Sequence, residues 1–336
     1  MDFLNALVAL CNYVLVPSIA YGSQLALGAL GVTLIYGILR FSNFAHGDTM
    51  AFGATVTILF TWLLQSFGIS FGPLPTALLA LPFGILGCIA LLLTTDRLVY
   101  RFYRQQKAKP VILVIVSMGV MFIMNGLVRF ILGPANRKFT DGERFIISAR
   151  EFKAMTGLRE GLAFKTTQGI TVITAVVVVI ALFWFLNRTR TGKSMRAYSD
   201  NEDLALLSGI NPERVVMATW LIVASLATIA GVLYGLDKSF KPFTYMLLLL
   251  PIFASAIVGG LGNPFGAIAG GFLIAFSEVT ITYAWKKVLV YALPEQWEPT
   301  GLVQLLSTDY KYAVSFSLLI IVLLFRPTGL FKGKSV

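Results

Sequence analysis

Asn187-Arg-Thr-Arg-Thr-Gly-Lys-Ser-Met-Arg-Ala197, continued by Asp200-Asn-Glu-Asp-Leu-Ala-Leu-Leu-Ser-Gly-Ile-Asn-Pro-Glu-Arg214, is a polar island between two apolar stretches. Thr166 to Asn187 upstream and Val215 to Leu236 downstream each run about 22 residues without a formal charge, enough for a helix to cross roughly 30 Å of hydrocarbon. The island therefore reads as a water-exposed handle between two membrane-crossing helices.

Working outward from the handle, further charge-free runs cover Phe3–Leu39, Thr49–Thr95, Pro110–Val128, Pro242–Ser277 and Tyr312–Phe325, several of them long enough for two passes. The last run is short, but Lys311 and Arg326 flank it and can snorkel outward, so it still reads as a span. The chain is 57% apolar and only 13% charged, with mean hydropathy +0.80. Soluble domains carry about a quarter charged residues. The expected fold is all-α, a single polytopic membrane domain over 1–336 with about eight to nine transmembrane helices. The alternating ten-residue segments of a β-barrel are absent. No basic residue precedes Arg40, so no cleaved signal peptide is expected, and Phe3–Pro17 reads as an interfacial helix before the first true span. Cys11 and Cys88 sit in apolar surroundings and are read as buried thiols.

The net charge of +11 is read as topological. Arg97, Arg101, Arg104, Lys107 and Lys109 form one basic loop. Arg188, Arg190, Lys193, Arg196 and Arg214 lie in the handle, and Arg326, Lys332 and Lys334 in the tail. Threading nine spans puts these three groups on one side, which positive residues mark as the cytoplasm. The N-terminus is then outside and the C-terminus inside. Residues 134–168 become a periplasmic loop and 188–213 a cytoplasmic one. No nucleic-acid-binding motif accompanies the charge.

Candidate chemistry is sparse. Gly329-Leu-Phe-Lys-Gly-Lys-Ser335 is one residue short of a phosphate loop, and Asn187 stands where Thr191-Gly192-Lys193-Ser194 would need a glycine. His46 is the only histidine, which excludes a histidine metal site. No cofactor, metal or catalytic residue is expected, so the chain does not read as an enzyme.

Two stretches remain. In Phe41-Ser-Asn-Phe-Ala-His-Gly-Asp48, Asn43 can cap the following helix and Gly47 permits close backbone approach. The stretch is either a capped helix junction or a place where Asn43, His46 and Asp48 form the inner mouth of a pathway, since polar groups at membrane depth must face protein or water. In the run from Ile257 to Gly271, Gly259, Gly260, Gly262 and Pro264 interrupt an apolar stretch, as a tight turn or broken helix would. Beyond it Gly266, Gly270, Ile274 and Glu278 recur every four residues, sharing one helix face that should pack on protein. Glu278 is then an inward carboxylate, either lining a pathway or gate or acting as a buried structural acid.

These features resemble the permease subunit of bacterial ABC importers for branched-chain amino acids, the LivH type. The resemblance rests on Ile35-Tyr-Gly37 with Asn43-Phe-Ala-His-Gly47, on Gly192-Lys-Ser-Met-Arg-Ala197 with Ala205 and Gly209-Ile-Asn211, and on Val258-Gly-Gly-Leu-Gly262 with Pro264, Gly266 and Ala267. It extends through Tyr310-Lys311, Val314-Ser-Phe316, Leu318-Leu-Ile320 and Pro327-Thr-Gly329, covering essentially the whole chain. It implies a multi-pass protein of the bacterial inner membrane, held among lipid. It also implies a related permease partner, two ATPase subunits that bind ATP and magnesium, and a periplasmic substrate-binding protein. The 188–213 loop would couple to the ATPase through a short helix at about Asn201–Leu207, capped by Asp200 or Asn201 and ended by Gly209. Ala205 to Gly209 keeps the family spacing, although the Glu-Ala-Ala of the family signature is missing. Arg196 and Glu202 are the expected polar contacts, and the glycine breaks are the expected hinges of alternating access. Urea, short amides or simple sugars as cargo remain open, as does a stand-alone secondary carrier or channel.

Overall fold

The computed structural model describes residues 2–292 and 299–331; Lys332 and Lys334 of the basic tail lie outside them. In chain order the helices are α1 (Asp2–Leu10), α2 (Val16–Leu39), α3 (His46–Ser66), α4 (Ala77–Thr95), α5 (Arg101–Gln105), α6 (Pro110–Leu132), α7 (Ala149–Thr156), α8 (Thr166–Arg188), α9 (Arg190–Asp200), α10 (Glu202–Leu207), α11 (Pro212–Lys238), α12 (Pro242–Gly259), α13 (Pro264–Thr282), α14 (Lys286–Ala292) and α15 (Lys311–Phe325). A two-stranded antiparallel ribbon, β1 (Phe145–Ile147) and β2 (Phe164–Lys165), lies between α6 and α8. Among the described residues nine helical stretches are long and apolar enough to cross a membrane. The run Thr49–Thr95 divides between α3 and α4, and Pro242–Ser277 between α12 and α13, so each long run is a double pass.

The expected interfacial helix over Phe3–Pro17 is not a separate element. Five π-helical residues, Cys11–Leu15, join α1 to α2 without a break, and the Val16 amide bonds back to the Cys11 carbonyl. Widening the turn just before Pro17 accommodates a residue that has no N–H to give and would otherwise kink the helix. The continuous helix 2–39 is about 57 Å long at 1.5 Å per residue, nearly twice the hydrocarbon thickness.

From Ala20 to Ile35 the second half of this helix is buried on every side, as an all-round apolar sequence requires. It packs against α8, α11, α12 and α13. A Cβ on Gly271 of α13 would stand 2.7 Å from the Ala26 amide nitrogen, a backbone approach that only small residues allow between helices in lipid. The outer helices turn Phe122 and Ile123 of α6, Ile173 and Ile180 of α8, and Leu324 and Phe325 of α15 outward. In a membrane these are hydrocarbon-facing side chains.

The bundle has two distinct ends. One, the handle end, holds the 40–45 turn, α5, α9, α10 and the α12–α13 turn. The other carries α1, α7, α14 and the ribbon. Residues 134–168, expected as a loop, contain β1, α7, β2 and the first residues of α8. Ser148 and Glu151 form a reciprocal capping box that starts α7, and Gly157 ends it in the left-handed conformation. The segment is fastened to α1 and the π-helical turn after it: Asn5 Oδ1 accepts from the Glu160 amide at 3.1 Å and Asn12 Oδ1 from the Ala163 amide at 3.0 Å. Glu160 in turn accepts from Lys287 at 3.2 Å and Tyr291 at 3.0 Å of α14.

Candidate functional site

At the handle, local sequence sets every boundary. Thr189 Oγ1 accepts from the Gly192 amide at 3.0 Å and starts α9. Asn201 Oδ1 accepts from the Leu204 amide at 3.0 Å and starts α10. Asn211 Oδ1, followed by Pro212, starts α11. Gly209, at φ +80°, ends α10: its amide bonds the Leu206 carbonyl at 3.0 Å and that of Ile210 bonds the Ala205 carbonyl at 3.0 Å. A left-handed residue at this place is the ordinary way a helix end is closed, and glycine adopts it without strain. Ala205 is buried against the rest of the handle, whereas Leu204, Leu206 and Leu207 are 59%, 43% and 85% exposed. Arg196 and Glu202, expected to reach a partner, have partners inside the chain. Arg196 donates to Asn187 Oδ1 at 2.9 Å, and Glu202 Oε1 accepts from the Tyr198 hydroxyl at 2.6 Å. Burial and then that hydrogen bond raise the Tyr198 hydroxyl above the usual phenol range, so it remains a donor to Glu202.

Side chains that the sequence did not single out join the handle to the spans. Arg40, closing α2 at φ +57°, donates to the Ser199 carbonyl at 2.5 Å. Asp96 accepts from both Arg104 and the Trp220 indole, the latter at 2.7 Å. Tyr100 stacks on Trp220 with ring centroids 5.4 Å apart and donates to Asn43 Oδ1 at 3.2 Å. Arg101 pairs with Glu213 at 3.6 Å. Buried hydrogen-bonded networks hold one arrangement, and the Asp96 cluster links residues 96–100, between α4 and α5, to α5, α11 and the 40–45 turn.

The four residues expected along a pathway divide. Asn43, His46 and Asp48 are at most 2% exposed, and their geometry is that of a packed junction. Asn43 Oδ1 accepts from the Ala45 amide at 3.1 Å, so it closes a turn one step before the helix, while Ala45 itself occupies the cap position of α3. Asp48 Oδ1 accepts from Asn125 at 2.6 Å. His46 lies against Gly31 of α2, with both ring nitrogens buried and unbonded among the described residues. Gly47 makes the expected close approach: a Cβ there would sit 2.6 Å from the Tyr245 carbonyl oxygen.

The glycine-rich stretch is a tight turn between two helices. Gly260 and Gly262 hold it at φ +111° and +83°. Asn263 Oδ1 accepts from the Phe265 and Gly266 amides at 3.1 and 3.2 Å, starting α13 behind Pro264. A Cβ on Gly259 would strike the Gly266 carbonyl, one on Gly266 the Gly259 carbonyl, and one on Gly270 the Ser255 carbonyl. The tail seals the turn: the Leu330 amide bonds the Val258 carbonyl at 2.9 Å and that of Phe331 bonds the Gly259 carbonyl at 3.2 Å. These glycines give α12 and α13 backbone contact, and Gly266, Gly270, Ile274 and Glu278 form a buried face.

Glu278 stands apart from the other three, near the far end of α13. It borders a partly open cavity of about 420 Å³ lined by α2, α11, α13 and α15 together with Tyr13, Tyr283 and Gln304, within the roughly 300–1,000 Å³ common for small-molecule sites. Its Oε1 accepts from Ser315 of α15, while Oε2 is buried without a hydrogen bond among the described residues. Lys311, read from sequence as snorkelling away from the end of α15, also lines this cavity. Its ammonium lies 5.8 Å from the Tyr21 ring centroid and 4.8 Å from that of Tyr312. Among the described residues no group of three His, Cys, Asp or Glu side chains is placed to hold a metal ion.

Comparison with known proteins places the chain as a whole. Residues 14–323 match the family profile described as branched-chain amino acid transport system / permease component. The chain is 30% identical to the high-affinity branched-chain amino acid transport system permease protein LivH of Salmonella typhimurium, over 95% of this chain and 94% of that one. It is 27% identical to BraD, the corresponding permease protein of Pseudomonas aeruginosa, over 96% of each. A shorter match, 28% identical over 47% of each chain, is to the fructose import permease protein FruG of Bifidobacterium longum.

Proposed function

The chain belongs to the branched-chain amino acid transport system permease family, a multi-pass permease component of the bacterial inner membrane, and on that premise we propose that it is one of two related conduit subunits through which an ATP-driven importer brings leucine-like amino acids into the cytoplasm. The handle end faces the cytoplasm, as its basic loops and the positive-inside bias support. The α7 segment faces the periplasm and meets a substrate-binding protein. Two ATPase subunits supply the energy, because this sequence has no phosphate loop and uphill transport needs a source.

The observation that carries the reading is α10. A six-residue helix with three exposed leucines is too apolar for a solvated face and fits the cleft of a partner. Its neighbours are firmly tied by the Asn201 and Thr189 caps, the Gly209 closure and the Tyr198–Glu202 bond, so a push on the leucines is delivered to α9 and, through Arg40 and Ser199, to α2. Arg196 and Glu202 shape this surface from behind it. Closure of the ATPase pair tilts the helices as rigid bodies and opens the conduit outward; hydrolysis returns it inward. The interlocked turn around Gly259 and Gly266 moves as a unit.

Changing Gly209 to valine tests the coupling. A β-branched residue at φ +80° is strained, so the end of α10 must shift. In the reconstituted complex, ATP hydrolysis should continue while leucine uptake falls, with membrane insertion unchanged. Normal ligand-stimulated hydrolysis together with normal uptake would refute the assignment. The partial likeness to a fructose permease favours one other reading, the same machine with a sugar cargo. Uptake of fructose but not leucine by the unaltered complex would select it.

A further inference from the structure

We propose that the cavity between α2, α11, α13 and α15 binds the zwitterionic head of an amino-acid cargo, the Glu278 carboxylate receiving its ammonium group and Lys311 its carboxylate. The inference rests on the reading of the chain as an amino-acid conduit and assigns a site within it.

Two opposite charges face this cavity without meeting. Glu278 is 1% exposed. One of its oxygens is engaged by Ser315, and the other is buried with no hydrogen bond from the described residues. The Tyr21 hydroxyl is directed at the same carboxylate as a weak donor, without a hydrogen bond of full geometry. Lys311 is close enough for its charge to act on Glu278, yet no ion pair closes between them. Its ammonium rests over two tyrosine rings instead. Lys238 at the rim already pairs with Asp237 at 3.3 Å.

A structural ion pair in this setting would close, because an isolated charge at membrane depth costs several kcal/mol and direct contact offsets much of that cost. Separated charges, with one carboxylate oxygen held only weakly by the Tyr21 hydroxyl, leave acceptor capacity for a guest. The guest that satisfies both ends carries a cation and an anion a few bonds apart, which is the α-amino acid head group. The tyrosine faces add a second attraction for an ammonium ion. Pro17 and Val279 on the cavity wall offer apolar surface to an aliphatic side chain.

The test uses the complete importer in sealed vesicles with radiolabelled leucine. Glu278→Gln and Lys311→Met should each lower initial uptake about tenfold or more, the loss expected for one charge-assisted contact. Ser315→Ala, which removes the hydrogen bond positioning Glu278 but neither charge, should lower uptake by about threefold, less than either charge variant. A second measurement needs neither charge removed: a thiol at Thr282→Cys, in a Cys11→Ser background, is titrated with a charged thiol reagent. Leucine should slow its modification, whereas isoamylamine and 4-methylvalerate, each carrying only one of the two charges, should not. Uptake that persists in both charge variants, or equal protection by all three compounds, would overturn the site while leaving the transport reading standing. Failure of the unaltered complex to carry leucine would remove that reading and the site with it.

Discussion

The Asp96 cluster at the handle end and the far cavity around Glu278 use buried polar groups in opposite ways. Around Asp96 three donors find acceptors: Arg104 and Trp220 converge on one carboxylate, and Tyr100 reaches Asn43. Around Glu278 one carboxylate oxygen has only the weak approach of the Tyr21 hydroxyl, and the Lys311 ammonium stands nearby without closing an ion pair. A fully matched cluster fixes geometry, and an unmatched one is kept at a cost in stability that only a visiting partner relieves. On the proposed function, the difference would separate the part of the molecule that transmits a push from the part that receives cargo. It also ranks the expected consequences of substitution, from the largest loss of stability to the smallest.

The backbone contact beneath the handle is the least tolerant place. Gly259→Val puts a branched side chain onto the Gly266 carbonyl, and neither backbone can give way while Leu330 and Phe331 seal the turn. A loss on the order of 3 kcal/mol is expected, the upper range for overpacking. Thermal unfolding of the purified complex in detergent should show a clear downward shift. An unchanged midpoint would mean the turn is looser than its contacts imply and would revive it as a hinge. Asp96→Leu comes next. It removes the shared acceptor of Arg104 and Trp220 and leaves two donors unmatched in a largely buried place, for about 2 kcal/mol. The matched cluster is then made to resemble the unmatched one, and if stability holds, the contrast between the two ends has no energetic content. Asn201→Ala deletes only a cap and should cost about 1 kcal/mol, with the α10 amides exchanging hydrogen faster than those of α11.

The sequence carried much of this plan, because its spans and caps are local. Charge-free runs marked where helices cross, and the Asn201, Gly209 and Pro264 signals marked where they start and stop, since those bonds join neighbours a few positions apart. The four-residue repeat ending at Glu278 showed which face of α13 is buried. What escaped was assembled across long separations. Asp96 and Trp220 lie 124 positions apart and Asn43 and Tyr100 57, and no periodicity links them. Asn43, His46 and Asp48 looked like a mouth because polar residues at membrane depth demand partners. Tyr100 and Asn125 supply one each for Asn43 Oδ1 and Asp48 Oδ1 from distant segments, while Asp48 Oδ2 and both His46 nitrogens stay unbonded among the described residues. Lys311 looked like a flanking charge because span ends often carry one, and only the packing of α15 in the bundle turns it toward a cavity. The unbroken helix through Pro17 was missed for a subtler reason: a π-helical turn has no sequence signature, yet it removes the proline's penalty.

Leu207→Asp is the substitution that separates transmission from folding. Leu207 is 85% exposed, so removing it should change stability by no more than about 0.5 kcal/mol, as for other surface positions. The same position is the most exposed apolar point of α10, and a carboxylate there would have to be buried against the ATPase cleft without a partner, which is unfavourable for association. Co-purification of the ATPase subunits should therefore fail while the unfolding midpoint stays put, a combination that no account of α10 as ordinary packed structure produces. Should the variant unfold early, α10 belongs to the matched core like Asp96. Should it fold and still hold the ATPase, the push enters the molecule elsewhere, and the groove between α10 and the Arg104–Lys107 loop, already lined by Asp203, Glu213 and Arg40, is the next surface to disrupt.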